Sequence, residues 1–234
     1  MNQFVRFEAL IGKDKIESLK DKKICVFGLG GVGGNVCDAL IRSGIEHITI
    51  IDNDDVNESN INRQLIANMK TIGKAKVDVM EEHLKSLNPN VKVIKFKRFY
   101  LPEESDFISF KDYDYVIDAI DTVKAKIDII EKCINQNVKV ITALGCGNKM
   151  NPTMLEVSDL AKTSYDPLAK VLRRELGKKG IKHVKVVYSK ESPIEPAHKE
   201  LLEDERRNIP ASSPFVPPVA GIIIASEVIK DLLD

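Results

Sequence analysis

At 234 residues, with 43% hydrophobic and 30% charged side chains, the chain can bury one generous core, which excludes disordered and collagen-like readings. Its 35 basic and 35 acidic side chains cancel, so it does not coat nucleic acid through bulk charge, although a local basic surface fits this balance. The opening segment lacks an apolar stretch with a small-residue cleavage pattern, and no run of about 18 apolar residues follows, so a cytoplasmic protein without a membrane span is expected.

Apolar periodicity alternates between short strand-like runs and helical patterns, the arrangement of a βαβ sheet. Residues 23–27 (KICVF) predict a strand, 32–41 a helix and 47–52 (HITIID) the next strand. Val77, Met80, Leu84 and Leu87 share one helical face, and Asn88-Pro89 ends that helix because proline cannot continue it. Strands are expected at 91–96, 113–119 and 138–143, with Val123, Ile127, Ile130 and Ile134 marking a helix before the last. This is the grammar of a Rossmann-like, doubly wound, mostly parallel α/β sheet, with residues 1–144 as its core and N-terminal arm.

Past Gly145 the pattern changes. A short strand is expected at 154–157, then a helix capped by Asp166 and opened by Pro167, with Leu168, Val171, Leu172 and Leu176 on its face. A strand at 184–188 precedes a polar, proline-rich loop from 189 to 218 and a closing amphipathic helix at 219–233. Residues 145–234 thus form an α+β extension packed on the core. Of the four cysteines, Cys25, Cys37 and Cys133 lie among apolar residues and read as small buried hydrophobes; no C-x-x-C pair offers zinc or dithiol chemistry.

Gly28-Leu29-Gly30-Gly31-Val32-Gly33 matches G-x-G-x-x-G between a strand and a helix, and Asp52 closes the following strand. Gly28, Gly30, Gly31 and Gly33 let backbone approach a phosphate, the helix start offers free N–H groups, and Asp52 can accept from a ribose hydroxyl. Alone, this suits a dinucleotide enzyme as well as an ATP enzyme. After Asp52, however, the usual short turn is replaced by Asn53-Asp54-Asp55-Val56-Asn57-Glu58-Ser59-Asn60-Ile61-Asn62-Arg63-Gln64, and Lys76 opens the next helix. Two cations, Arg63 and Lys76, suit a triphosphate and a departing pyrophosphate; a nicotinamide dehydrogenase has no such charge to balance. Read singly, either is equally well solvated surface charge. Asp118-Ala119-Ile120-Asp121 ends a later strand, where an acid faces the ligand crevice and offers magnesium its preferred oxygen, or else caps the helix from Thr122.

The string D-x-D-x-V-x-x-S-N-x-x-R-Q with a following G-K-x-K resembles the adenylation site of the ubiquitin-activating-enzyme-like family, which includes the molybdopterin- and thiamine-pathway activating enzymes. The resemblance covers residues 1–145. It implies an ATP site in which Arg63 and Lys76 meet the phosphates, Asp54, Asn60 and Gln64 are polar neighbours, and Asp121 is the Mg²⁺-linked carboxylate. Residues 4–12 (FVRFEALIG) also resemble the family's opening segment, whose arginine enters the partner subunit's site; Arg6 would then act in trans within a homodimer.

Residues 145–153, 158–163, 166–169 and 215–221 resemble the threonylcarbamoyladenosine dehydratase branch of that family. The resemblance implies adenylation of a carboxylate on a modified tRNA base, with ATP going to AMP and pyrophosphate, then cyclisation with net loss of water. The carbamoyl group is an internal nucleophile, so no catalytic cysteine is required. The alternative is an adenylating enzyme for a ubiquitin-like sulfur carrier, working with a sulfur-transfer partner protein. Arg63, Lys76 and Asp121 disfavour a nucleotide-binding regulator and a dinucleotide oxidoreductase. Cys146 lies in the glycine-rich loop; a thioester role is conceivable, but no flanking base is visible. Two basic segments are candidates for tRNA phosphates: Lys92, Lys95, Lys97 and Arg98, and Arg173, Arg174, Lys178, Lys179, Lys182 and Lys185.

Overall fold

In strand β1 (Lys23–Phe27), Ile24 and Val26 pack on one side of a sheet and Cys25 and Phe27 on the other, and all four are buried. A strand covered on both faces reads as an unbroken apolar run, which is why KICVF shows no polar alternation. The structure, a computed structural model, describes residues 2–204, 207–208 and 210–234, without the side chains of 203–209. Within it β1 is joined by β2 (His47–Ile51), β3 (Lys92–Phe96), β4 (Tyr115–Asp118), β5 (Lys139–Ala143), β6 (Leu155–Asp159) and β7 (Lys185–Ser189). The seven-stranded order is β3-β2-β1-β4-β5-β7-β6, parallel throughout except for β6, which runs antiparallel to β7 at the edge.

Two short helices, α1 (Val5–Ile11) and α2 (Lys13–Lys20), precede β1. Helices α3 (Gly33–Arg42), α4 (Lys76–Leu87) and α7 (Val216–Leu233) share one core with Ile24, Val26, Tyr115 and Ile117. On the opposite face α5 (Val123–Asn135) covers Cys25, Phe27, Val116 and Val140, and α6 (Pro167–Lys178) packs with Val186 and Tyr188. The expected doubly wound α/β sheet is the observed fold. The predicted cap is present too: Asp166 accepts from the Ala169 N–H at 2.8 Å, with Pro167 in the first turn.

Two features differ from the sequence reading. Helix α7 begins at Val216, because Pro217 and Pro218 are tolerated in a first turn, whose N–H groups have no intrahelical partner anyway. Strand β7 pairs in parallel with β5, so residues past 145 complete the main sheet. Within the expected loop, Lys199–Leu202 forms a short helical turn, and residues 205, 206 and 209 lie outside the described residues.

One fully buried ion pair sets the sheet end that matters below. Lys126 Nζ lies 3.1 and 3.0 Å from the two oxygens of Asp118 and donates to the Ala143 carbonyl at 2.8 Å, tying β4, α5 and β5 together. Burial pushes the Asp118 carboxyl up, and the neighbouring ammonium opposes that. Removing one partner of such a pair costs about 3–5 kcal/mol, because it strands the other charge. Asp118 also accepts from the Ile120 N–H at 3.3 Å, which shapes the turn leading to Asp121.

Candidate active site

The chain lays β2 and β3 on one side of β1, then crosses back to place β4 on the other. At such a reversal the crossover connections leave on opposite faces, and a crevice opens at the carboxyl ends of the two central strands. A cleft of about 310 Å³ lies there. Gly28, Gly30 and Gly31 line it, together with Asp52, Asn53, Asp54, Asn60, Arg63, Gln64, Lys76 and residues 119–122.

Gly28 adopts φ 88°, and a Cβ there would meet the Ala119 carbonyl oxygen at 2.7 Å, so neither the backbone nor the space admits a side chain. Gly33 does not line the cleft. A Cβ on it would meet the Gly28 oxygen at 1.8 Å, and its absence is what lets α3 start against the end of β1.

Asp52 is largely buried and organises the first turn. Its Oδ2 accepts from the Leu29 N–H at 2.6 Å and its Oδ1 from the Asp54 N–H at 2.8 Å. Burial raises its carboxyl above the ordinary range, opposed by Lys76. The long excursion after Asp55 is closed by backbone pairing: Val56 N–H donates to Lys74 O at 2.8 Å and Lys76 N–H to Asp54 O at 3.0 Å. That closure delivers Lys76 to the amino end of α4, 4% exposed, with Nζ 2.8 Å from Asp54 Oδ2 and 4.0 Å from Asp52 Oδ1. A buried cation at a helix amino terminus opposes the helix dipole and loses its hydration. Two aspartates offset that cost at a position where stability alone would not place a lysine.

Arg63 is brought in by a short turn, Glu58–Asn60, whose capping box pairs Asn57 with Asn60. Its Nη1 donates to Ser59 O at 3.0 Å and to Asn62 Oδ1 at 2.9 Å, and partial burial lowers its pKa. Gln64 is buried, and its Oε1 has no hydrogen-bond partner among the described residues. Buried polar atoms are nearly always satisfied, so this orphan in the wall of the cleft keeps acceptor capacity that the described residues do not use. Asp121 is exposed; among the described residues its carboxylate meets only the Thr122 hydroxyl, at 3.4 Å, and makes no helix-capping bond.

Arg6 lies on α1, exposed and outside the lining of this cleft. Cys146 is also outside it. Its thiol is buried, donates to Leu144 O at 3.5 Å, and is pushed up to about 11 by burial. Cys25, Cys37 and Cys133 are free and buried, as expected.

Sequence reasoning missed one wall. Arg98, Phe99 and Tyr100, just past β3, line the cleft beside Phe27 and Ile51. The Arg98 guanidinium sits 4.3 Å from the Phe107 ring centroid and 3.7 Å from Glu104. The signal was available: three bulky residues directly after the carboxyl end of a parallel strand border the crevice by rule. Arg98 is therefore not part of an open basic surface. Its neighbours are paired as well, Lys95 with Asp78 and Glu81 and Lys97 with Asp55. In the second basic segment Arg173 donates to Leu160 O and Thr163 O at 3.3 and 3.1 Å, pinning α6 to the turn after β6. Arg174 and Lys178 share Glu175, Lys179 meets Glu131, and Lys185 meets Glu227 and Asp231. Most of these cations thus have an acidic or carbonyl neighbour within the chain, though Lys95, Lys97, Arg174, Lys178 and Lys179 stay solvent-exposed in weak surface pairs.

The ThiF family model matches residues 3–234. The tRNA threonylcarbamoyladenosine dehydratase of Bacillus subtilis is 43% identical over 244 residues, covering 100% of this chain and 95% of that protein. The corresponding Escherichia coli enzyme is 35% identical, covering 96% and 91% of the two chains. Its crystal structure in complex with AMP superposes with a TM-score of 0.89 at 34% identity, over 99% of this chain and 94% of that one; the complex with ATP gives 0.87. The motif-based resemblance holds along the whole chain, and the chain belongs to the ThiF family.

Proposed function

We infer that this protein is an ATP-dependent adenylating enzyme that dehydrates threonylcarbamoyladenosine in tRNA. The observation that carries the reading is convergence. Arg63, Lys76 and Asp121 come from three separate segments to one glycine-lined cleft, in a chain whose full-length relatives are named for this reaction, the Escherichia coli one solved with ATP and with AMP. Asp52 retains acceptor capacity for a ribose hydroxyl after its two backbone contacts. As a substrate carboxylate oxygen bonds to the α-phosphorus and pyrophosphate leaves, Arg63 and Lys76 stabilise the charge gathering on the departing oxygens. The carbamoyl group then closes on the acyl carbon, loses a proton and expels AMP, which carries away one carboxylate oxygen. The net loss is one water, and no protein nucleophile takes part.

Asp121 would hold Mg²⁺. Among the described residues no cluster of three metal-binding side chains exists, which fits an ion bound by one carboxylate, water and substrate phosphates. Its contribution there is neutralisation of phosphate charge. The dimer expectation stands on α1. Leu10 is 78% exposed, and Phe7 and Ile11 line an apolar groove with Ala39, Ile222 and Leu233. Arg6 is exposed on the same helix, so a second copy seated on that groove would lie against the arm that carries it. Mixing Arg6→Ala and Lys76→Ala proteins should then restore activity in mixed dimers. Failure despite subunit exchange would remove the trans role.

No helix among the described residues is long and apolar enough to cross a membrane, in keeping with a cytoplasmic tRNA enzyme. The cyclisation consumes no sulfur, so a sulfur-transfer partner should leave the rate unchanged. Following AMP release with threonylcarbamoylated tRNA or with a ubiquitin-like carrier as acceptor tests the proposal. Release dependent on tRNA supports it, whereas release dependent on the carrier alone would overturn it.

A further inference from the structure

Residues 210–217 return from the C-terminal loop to α7 as a strap pressed against the outside of the cleft. A Cβ on Gly147 would lie 2.6 Å from Pro210 Cβ, and one on Gly31 would lie 2.9 Å from Pro217 Cβ. The strap therefore touches both Gly31 and the loop after β5 with no spare room. Two asparagines fasten it. Asn148, at φ 58°, donates its N–H to Ala211 O at 2.7 Å and accepts the Ala211 N–H on Oδ1 at 2.8 Å. Asn62 donates Nδ2 to Ser212 O at 2.9 Å, while its Oδ1 accepts from Arg63 Nη1 at 2.9 Å.

We propose that Asn62 is a positioning residue that couples Arg63 to the strap, so that fixing Arg63 on nucleotide phosphates orders residues 210–217 and the loop at 145–148. The amide has one donor end and one acceptor end. Turned over, it would set its NH₂ against guanidinium N–H groups and its oxygen against the Ser212 carbonyl. A guanidinium fixed by a ligand thus allows one amide orientation, the one that holds Ser212. Pro217 packs beside Gly31 and near Arg63, two residues that line the cleft, so order in the strap bears on that wall of the cleft. This rests on the reading that Arg63 meets ATP.

Hydrogen exchange of the full-length protein, with and without ATP, tests the coupling. Asn62→Asp keeps the acceptor for Arg63 and removes the donor to Ser212; Asn62→Ala removes both. In the wild type, ATP should slow strap amides about fivefold, the effect of one hydrogen bond of ordinary net strength, along with those of residues 28–33. In Asn62→Asp, residues 28–33 should still be protected while the strap slows by less than about twofold. Without nucleotide the strap should exchange about fivefold faster in either variant, with β1 unchanged as the control for folding. An unaltered strap in the wild type on ATP binding, or full strap protection in Asn62→Asp, would overturn the proposal. Loss of protection at residues 28–33 in the wild type would instead sink the nucleotide reading beneath it, while the ATP-free comparison still tests the Asn62 contact.

Discussion

At the amino ends of β4, β5 and β7, Tyr115 donates to Asp231 at 2.7 Å, and Lys185 reaches the Asp231 oxygens at 2.8 and 2.9 Å and Glu227 at 3.2 Å. At the carboxyl ends of β1, β2 and β4 the side chains are equally polar, but among the described residues Gln64 Oε1 is buried without a partner and Asp121 meets only Thr122. Arg63 there bonds, among the same residues, to oxygens of its own loop. The first network fixes α7 to the sheet, and with Lys230 on Glu227 its charges are matched. The second is held open at a cost in stability. Buried polar groups that hold a fold together mostly find partners within it, and the cleft gathers several groups with capacity left over, although Asn88, Thr142 and Asp166 each carry a buried atom without a hydrogen-bond partner elsewhere among the described residues.

The comparison predicts that substitutions in the open network cost activity and those in the closed network cost stability. The largest effect should come from Lys76→Ala or Arg63→Ala, each lowering the rate of AMP formation by about 10²–10³. Nucleotide should still bind, more weakly; wild-type rates would reduce both cations to surface charge. Asp121→Asn should come next, raising the Mg²⁺ concentration for half-maximal activity about tenfold or more, as loss of a metal-site partner commonly does. An unchanged magnesium titration would place the ion elsewhere. Cys146→Ala should retain more than about a tenth of the rate, because loss of a covalent nucleophile costs far more. A trapped cysteine-linked intermediate would favour the sulfur-carrier alternative.

The smallest catalytic effect belongs to the closed network. Burial works against the Asp231 carboxylate, but Lys185 and Tyr115 outweigh it and hold the group below its ordinary range; Glu227 is likewise lowered. A depressed folded pKa adds stability that is complete above the unfolded value near 4 and is lost as pH falls through the folded value. Asp231→Asn should therefore melt lower than wild type at pH 7, by about 1–3 kcal/mol, with AMP formation unchanged. The gap should shrink as pH falls below the unfolded value near 4. A constant gap across that range would mean that packing, not charge, is the cause.

Much of this was legible in the sequence. The apolar runs of β1 and β2 declare strands buried on both faces, and Asp166-Pro167 declares a helix start, because each is a local consequence of burial or capping. Gly28, Asp52, Arg63 and Lys76 stand out by spacing. The pairing that closes residues 56–74 and carries Lys76 back to Asp54 is non-local, and no periodicity announces it. The partners of the basic segments were hidden for the same reason. A run of lysines gives no sign that Asp78, Glu81, Asp55 or Glu131 lies opposite in space. Asn62 was visible as a polar residue, but its tie to Ser212 spans most of the chain.

The central claim is that the open network activates a carboxylate on tRNA for loss of water. Purified enzyme, ATP, Mg²⁺ and threonylcarbamoylated tRNA should yield AMP and pyrophosphate, and nucleoside mass analysis should find the modified adenosine lighter by one water. ADP as the nucleotide product, or a modified nucleoside of unchanged mass, would contradict the account.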